Sequence, residues 1–456
     1  MTEHPDFSEP VEPSTAYLDM TGSAVRRQVA KAQKAEPTAA AGEAYPGQRD
    51  LWCAVDREVD ACAGELTALA DDLHAHPELA FAEHRSMAVL ADAVEHHGHP
   101  TQRGVYGVDT AFSAEWSAPD FDPDAHPTVM VMAEYDALPG IGHGCGHNVI
   151  AAAGVGAFWA AARASAAAGL KGRIKLLGTP AEEGHTGKEY LIRGGCLQGV
   201  DAAVMMHGFA YDSPAHTWVG RRFLQARYTG VAAHASAQPF MGRNALDAVS
   251  LAYQGLGLLR QQMPPSDRLH AIITSGGESP NVIPNSAEME LYVRSSQTAT
   301  LLDLSERVAN VLDGAALMTG CGVEVDWDVH PMSLPVRNNS ALVERFSQTQ
   351  RARGRTPLPA GTLPESLSAS TDFGNVSHLV PGLHPMVKMA ASDVALHTED
   401  FAAAAGSPAA HRAVVDSAAG LGQVVCDLLA DGDLLAAARE GFERAGGAQA
   451  VADLER

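Results

Sequence analysis

Residues 128–148 read TVMVMAEYDALPGIGHGCGHN. The fold prediction depends on the apolar residues at the beginning of this stretch. The run from Thr128 to Met132 is short and apolar, which is typical of a strand buried on both faces of a sheet. An alanine-rich helical stretch from Ala151 to Ala168 follows it. The same alternation recurs along the chain, with further apolar runs at 173–177, 202–206 and 385–389. This alternation predicts an α/β fold, with a mostly parallel sheet flanked by helices.

The segment from about Arg222 to His330 follows a different pattern. Its strand-like and helical stretches alternate in the order β-α-β-β-α-β, which is the ferredoxin-like unit. Because the first pattern resumes after Pro335, we predict a discontinuous catalytic domain that is interrupted by a smaller domain. The predicted divisions are an N-terminal extension at 1–48 with a short helix at 23–34, a catalytic domain at 49–221 and 336–456, and an inserted domain at 222–335.

Composition and charge exclude several classes of protein. The chain has 456 residues, with 32 Lys and Arg against 55 Asp and Glu, which gives a net charge of −23. A surface this acidic repels phosphate backbones and anionic lipids, so we expect neither nucleic-acid nor membrane partners. No apolar stretch is expected to be long enough to span a membrane, and no secretory signal is visible. The six scattered cysteines are unlike those of a disulfide-rich secreted domain, so we expect a cytoplasmic protein.

Each of the four predicted strands leads into residues that bind metals or transfer protons. In chain order these residues are Cys145 and His147, the pair Glu182 and Glu183, then His207, and finally His397. Functional groups in open α/β sheets collect in the crevice beyond the carboxyl ends of the strands. We therefore expect these side chains to meet at one edge of the predicted sheet.

Thiolate, imidazole and carboxylate groups are the ligands that divalent transition metals prefer in proteins. A closed tetrahedral site needs four ligands, so five such residues suggest two ions with room for water. Glu182 and Glu183 are adjacent and point in different directions, so one can bind metal while the other acts as general base. A hydrogen-bonded loop cysteine, a solvated acidic turn and satisfied histidines at strand ends are the structural alternatives. His185 and Lys188 would contact either solvent in the loop or the substrate, and we favour contact with solvent.

Eight motifs resemble, in order from about residue 50 to residue 420, the amidohydrolase branch of metallopeptidase family twenty. This branch includes aminoacylases, aminobenzoyl-glutamate hydrolase and the Xaa-Arg (β-alanyl-lysine) dipeptidase group. The motifs are HAHPELAFAE (74–83), AEYDALPGIGHGCGHN (133–148), GTPAEEG (178–184), MMHG (205–208), GVAAHASAQPFMGRNALDA (230–248), SPNVIPN (279–285), STDFGNVSH (370–378) and LHTEDF (396–401).

The resemblance implies a di-metal exopeptidase type of fold and assigns a role to each candidate residue. Two divalent ions, zinc or manganese, would be held by Cys145, His147, Glu183, His207 and His397. Glu182 would be the general base and acid, and Asp136 would support the centre from behind. The inserted domain would be a dimerising lid, whose His234 reaches the partner's site and polarises the scissile carbonyl. Asn281 and Arg294 would hold the free carboxylate of the substrate.

These features together predict a metal-dependent amidohydrolase or dipeptidase. Its substrate would be a small N-acyl amino acid or a dipeptide-like molecule, cleaved at the amide bond by activated water with Glu182 as general base. We expect a homodimer that forms through the lid. The alternative is a catalytically inactive, metal-binding or ligand-binding regulatory protein on the same scaffold.

Overall fold

The computed structural model describes Pro10, residues 13–34 and residues 45–455. Its helices are α1 (Ala16–Lys34), α2 (Gln48–Ala75), α3 (His84–His96), α4 (His147–Ala168), α5 (Gly187–Arg193), α6 (Ala245–Leu259), α7 (Thr298–Thr319), α8 (Ser340–Ala352), α9 (Phe373–Ser377), α10 (Glu399–Ala405), α11 (Pro408–Ala430) and α12 (Gly432–Arg444). Its strands are β1 (Thr101–Arg103), β2 (Phe112–Ser117), β3 (Thr128–Glu134), β4 (Arg173–Thr179), β5 (Ala202–Val204), β6 (His207–Phe209), β7 (Gly220–Thr229), β8 (Arg268–Ser275), β9 (Ser286–Ser295), β10 (Gly322–Trp327), β11 (Gly382–Leu383) and β12 (Met386–Lys388).

The main sheet has the strand order β1-β2-β4-β3-β5-β11. Its central strand β3 pairs in parallel with β4 and β5, and β11 pairs in parallel with β5. At the other edge of the sheet, β2 pairs antiparallel with β4, and β1 pairs antiparallel with β2. All seven residues of β3 are buried, as expected for a strand with helices on both faces. The predicted α/β fold with a mostly parallel, helix-flanked sheet is therefore confirmed.

One predicted strand is shorter than expected. Within the apolar run at 202–206, only residues 202–204 form a strand, β5, and a separate strand, β6, begins after the run at His207 and pairs in parallel with β12. Backbone hydrogen bonds from Met205 N to Leu383 O and from His207 N to Pro385 O continue the pairing across the break. The chain thus remains aligned with the main sheet up to the position of His207.

The expectation that no apolar stretch is long enough to span a membrane was wrong. Helices α4 and α11 each have a mean hydropathy of 1.4 over an 18-residue window, and both are long enough to cross a membrane. Inside the fold, however, 89% and 78% of these windows are buried. Both helices pack against each other and against α2, so their hydropathy reflects their position in the core.

Residues 220–327 form a second sheet with the strand order β10-β7-β9-β8 and all neighbours antiparallel. Buried and more accessible residues alternate along β7 and β9, and the buried ones pack on α6 and α7 as a separate hydrophobic core. The elements follow each other as β-α-β-β-α-β. The exact divisions at 222 and 335 stay predictions.

The helix predicted at 23–34 forms part of the longer α1. Its Val25 and Val29 pack on Leu358 in a small apolar cluster that also includes Tyr211 and Leu363. This part of the N-terminal extension therefore contacts the loop that precedes α9. The remainder of the predicted extension before Tyr45 lies, apart from Pro10 and residues 13–15, outside the described residues.

Candidate metal centre

The carboxyl end of β3 places two candidate ligands at the start of a helix. Cys145 lies in the loop after β3, and His147 is the first residue of α4. Between them, Gly146 adopts a left-handed conformation with φ of 76°. A Cβ atom at this position would lie 2.7 Å from Cε of Met389, so the close approach requires glycine. The sharp turn allows the thiol and the imidazole to face the same space.

The structure brings all five predicted ligands and Glu182 together. Three overlapping groups have ligand atoms within 4.8 Å of one another, namely Cys145 with His147 and His207, Cys145 with Glu183 and His397, and His147 with Glu182 and Glu183. Nε2 of His397 lies 3.0 Å from Sγ of Cys145 and 3.5 Å from Oε1 of Glu183. Cys145, His147 and Glu183 each belong to two of the groups, so the groups overlap in a cluster that could hold more than one ion.

The hydrogen bonds of two histidines leave their Nε2 atoms available as ligands. Nδ1 of His147 contacts Oδ1 of Asp136 at 3.1 Å, and Nδ1 of His207 contacts the carbonyl oxygen of Gly208 at 2.7 Å. Both partners are acceptors, so in the neutral rings each Nδ1 carries the hydrogen and each Nε2 has a lone pair. Such second partners fix the orientation of metal-binding histidines.

Two buried ligand atoms have no hydrogen-bond partner among the described residues. These atoms are Nε2 of His147 and Oε1 of Glu183. Buried polar atoms without partners are costly, and an ion between them would satisfy both. The donor set of one thiol, one carboxylate and three imidazoles also suits zinc or a similar transition metal. The residues present therefore fit a metal centre.

Asp136 connects the two loops that carry the ligands. Besides His147, it contacts the backbone N–H of Glu183, which donates to its Oδ2 at 2.8 Å. Burial alone would raise the pKa of Asp136, but the charge and hydrogen bond of His147 outweigh that effect and lower the pKa. The carboxylate is thus ionised behind the centre, where it orients His147 and the turn of Glu183.

Glu182 is held apart from its neighbour Glu183 by the backbone. Ala181 has a positive φ of 61°, and its N–H donates to Oε1 of Glu83 at 2.8 Å. Oε1 of Glu182 accepts a hydrogen bond from the backbone N–H of Asp372 at 3.3 Å. Burial raises the pKa of Glu182 well above its ordinary value, and the charges of Glu134 and Glu183 add to the effect. A bound cation would act in the opposite direction.

The sequence favoured contact with solvent for Lys188, but the structure buries this side chain. Its side chain is 1% exposed, and its Nζ lies 2.6 Å from Oε2 of Glu134 and 2.6 Å from Oδ1 of Asp372. The N–H of Lys188 also donates to Oδ2 of Asp372 at 2.8 Å. Because Asp372 in turn contacts Glu182, this buried ion-pair network supports the carboxylate from behind. His185 is half-buried, and its Nδ1 lies 2.7 Å from the carbonyl oxygen of Glu183.

A cavity of about 330 Å³ lies in front of these groups. One wall carries the ligand groups, and it includes Cys145, Glu182, Glu183, His207 and His397. Another wall comes from the second sheet and carries Arg221, Arg268 and Arg294. Arg294 was expected at the site, whereas Arg221 and Arg268 were missed. The sequence pattern of a strand shows which residues share a face of the sheet. It does not show which part of the molecule, or which cavity, lies against that face.

His234 and Asn281 do not line this cavity. They lie on neighbouring segments of the second sheet's region, where His234 forms a β-bridge with Val282 and both His234 and Asn281 are accessible to solvent. Nδ1 of His234 accepts hydrogen bonds from the N–H groups of Ser236 and Ala237, both at 3.2 Å. The neutral ring therefore carries its hydrogen on Nε2, which makes His234 a hydrogen-bond donor on the surface.

Comparisons with known proteins agree with this architecture. The sequence model of peptidase family M20/M25/M40 matches residues 130–412. The chain is 37% identical over 393 residues to a Xaa-Arg dipeptidase of Mus musculus, and the match covers 84% of this chain and 90% of the relative. It is 33% identical over 299 residues to a component chain of the p-aminobenzoyl-glutamate hydrolase of Escherichia coli, and that match covers 61% of each protein.

A solved structure shows the same fold. A dinuclear metal-binding peptidase of the M20 family from Bacillus subtilis superimposes with a TM-score of 0.61 and 22% sequence identity. The match covers 81% of this chain and 99% of the other chain.

Proposed function

The chain belongs to peptidase family M20/M25/M40, and from this premise we propose that it is a metal-dependent amidohydrolase. Its substrate is a small N-acyl amino acid or a dipeptide, the kinds of molecule for which the mouse and Escherichia coli relatives are named. The observation that carries the proposal is the convergence of five ligand side chains with Glu182 at one cavity. A binding protein without catalysis would have no use for a buried carboxylate held beside the ligands.

The proposed centre holds two divalent ions, zinc or manganese. The residues that would hold them are Cys145, His147, Glu183, His207 and His397. When bound, the ions would supply Lewis acidity and a water molecule whose pKa is lowered to about 7. The overlap of several ligand groups, which share Cys145, His147 and Glu183, supports a pair of ions rather than one.

Glu182 is the proposed general base and then the general acid. It removes a proton from the attacking water as the new bond forms between the water oxygen and the amide carbon. It then delivers this proton to the amide nitrogen, so that the C–N bond breaks and a neutral amine leaves. The hydrogen bond from Asp372 N keeps one carboxylate oxygen in place, and the other stays available for the proton.

Arg294 is proposed to bind the free carboxylate next to the scissile amide. It lines the cavity, and a guanidinium pairs well with a carboxylate through two parallel hydrogen bonds. Asn281 lies outside the cavity lining and cannot share this task within the same chain, so any such contact would be to the site of a second copy. A cytoplasmic location remains a proposal that rests on the sequence alone.

We further propose that His234 acts in the site of a second copy of the chain, in a homodimer formed through the second sheet as a lid. The Nε2–H of His234 is a donor on an accessible surface, suited to polarising a carbonyl oxygen. The edge strand β8 also exposes Ile272 and Ile273, which are 60% and 39% exposed. An apolar edge of this kind is a template for pairing with another chain.

Two inactive variants should restore activity to each other if His234 acts across a dimer. In a mixed dimer of Glu182→Gln and His234→Ala chains, one site carries both defects and the other carries none. With random assembly, about a quarter of all sites are intact, so co-expression should recover about a quarter of wild-type activity. The measurement is turnover of the co-expressed protein, with mixed dimers verified by a different affinity tag on each chain.

The matched control replaces the His234→Ala chain with a chain that carries both substitutions. No intact site can form from that chain and a Glu182→Gln chain, so no activity should return. Recovery in the control, or the absence of recovery in the test pair, would contradict action of His234 across the dimer.

The reaction class is tested by a panel of small amides. With zinc or manganese loaded, the purified protein should hydrolyse at least one of an N-acyl glutamate, an N-acyl aromatic amino acid and β-alanyl-lysine. Release of the free amine is measured by liquid chromatography. Full metal loading without turnover of any amide would favour the binding-protein alternative over the hydrolase.

A further inference from the structure

Three arginines form a row across the second sheet where it lines the cavity. Arg294 on β9 lies directly opposite Arg221 on β7 and directly opposite Arg268 on β8. Residues opposite each other on paired strands project from the same face of a sheet. All three therefore project from the face turned away from α6 and α7, and all three line the cavity.

No carboxylate pairs with this row in the described part of the chain. Arg221 donates to Oγ1 of Thr186, and Arg268 donates to the carbonyl oxygen of Glu365 through one Nη atom. The other Nη atom of Arg268 is buried without a partner. By contrast, the buried Arg222 pairs with Asp328 at 2.7 Å.

The placement of three positively charged side chains opposite one another on paired strands is unfavourable and requires an explanation. Like charges directly opposite across strands destabilise a sheet. The consequence is visible at the central member, because burial, together with the charges of Arg221 and Arg268, lowers the pKa of Arg294. An anion in the cavity would remove this repulsion and would also satisfy the buried donor of Arg268.

One carboxylate is too small an anion for the whole row. A single carboxylate has two oxygens, which one guanidinium can occupy in a bidentate pair. Two further guanidinium groups would then face the cavity without a carboxylate partner. A second carboxylate on the same molecule would satisfy them.

Polar groups elsewhere on the wall indicate a polar ligand as well. The hydroxyls of Ser368 and Ser370 and the indole N–H of Trp218 are buried without partners among the described residues, and all three residues line the cavity. The occupant therefore carries several acceptors in addition to the scissile amide.

We propose that the substrate is an N-acyl or aminoacyl derivative of an acidic amino acid, aspartate or glutamate, so that two carboxylates meet the three arginines. This proposal rests on the proposed hydrolase function and specifies its substrate class. A basic amino acid would add a fourth positive charge beside the row. The chain thus differs in selectivity from what the name of its mouse relative, a Xaa-Arg dipeptidase, would suggest.

The test compares substrates that differ in one charge. The metal-loaded protein is assayed with N-acetyl-L-glutamate, N-acetyl-L-glutamine and N-acetyl-L-arginine, of which the first two have nearly the same shape. We expect kcat/KM to be about 10- to 100-fold higher for the glutamate than for the glutamine derivative, the range of a charge-assisted pair. The arginine derivative should be the poorest of the three.

Arg268→Gln should reduce the glutamate-to-glutamine ratio of kcat/KM to within about threefold of one, as expected when a charge-assisted pair is lost. The matched control is Arg227→Gln on β7, an exposed arginine that pairs with Glu288 and does not line the cavity. It should leave the ratio unchanged. If Arg268→Gln fails to fold by circular dichroism, Arg221→Gln serves as the second variant with the same expectation.

Binding separates this proposal from the hydrolase function. Calorimetry on the Glu182→Gln variant measures the dissociation constants of the same three derivatives without turnover. Binding of N-acetyl-L-glutamate that is tighter than that of N-acetyl-L-glutamine by tenfold or more supports the acidic substrate class, even if no amide is hydrolysed and the proposed function fails. A smaller difference between these two, or a preference for N-acetyl-L-arginine, would overturn it.

Discussion

Replacing Glu182 by glutamine is expected to lower kcat by about 10²- to 10⁴-fold, the usual contribution of a positioned general base. The amide has the same shape and can still accept the hydrogen bond from Asp372 N, but it cannot take a proton from water. The fold and the bound ions should remain, because Glu182 is not one of the five proposed ligands. Steady-state kinetics, circular dichroism and metal analysis of the same preparation measure these three properties.

The neighbouring Glu183 supplies a matched control for this prediction. Glu183→Gln is the same substitution one residue away, but it removes a ligand whose Oε1 lies 3.5 Å from Nε2 of His397. This variant should lose metal together with activity, whereas Glu182→Gln should lose activity alone. Glu182→Gln with wild-type kcat would remove Glu182 from the mechanism.

The positions of the ligand residues could be predicted because they follow from topology. Parallel strands have their carboxyl ends at the same edge of a sheet, so residues after β3, β4 and β5 must lie near one another. Cys145, Glu183 and His207 were predicted on this basis, before any side-chain position was known. Their convergence required only the order of strands and helices, which the alternation of apolar runs indicates well.

The support behind the ligands could not be predicted in the same way. Lys188 lies in the first turn of α5, just after the acidic turn, and charged residues are almost never fully buried unless they are paired. Its partners, Glu134 and Asp372, lie 54 and 184 positions away in the chain. No local pattern reports a contact over such separations, so the sequence suggested a solvated lysine.

For a related reason, the sequence pattern did not show how the central helix α4 is buried. Helix α4 is buried on nearly all sides, so it lacks the polar face that marks a surface helix. The same composition is found in membrane-spanning helices, and only the packing of α2 and α11 around α4 distinguishes the two cases. The arginine row could not be predicted from the sequence, because Arg221 and Arg268 become neighbours of Arg294 only when the strands are paired in register.

Removing metal with a chelator is the second prediction with a very large expected effect. Without the ions, the water in the cavity would keep its ordinary pKa, which lies far above the value of about 7 for metal-bound water, so turnover should fall by several orders of magnitude. The fold should persist, because the main hydrophobic core around α2, α4 and α11 consists of apolar side chains and includes none of the five proposed ligands. Activity and circular dichroism are measured before and after chelation and dialysis.

Titration of metal back into the chelated protein tests the central claim most directly, since it counts the ions on which turnover depends. Zinc and manganese are added separately, and bound metal per chain and activity are measured at each step. The proposed two-ion centre of Cys145, His147, Glu183, His207 and His397 predicts that activity returns with metal and reaches its maximum at two bound ions per chain. Full activity in the chelated protein, or a maximum at one bound ion per chain, would contradict it.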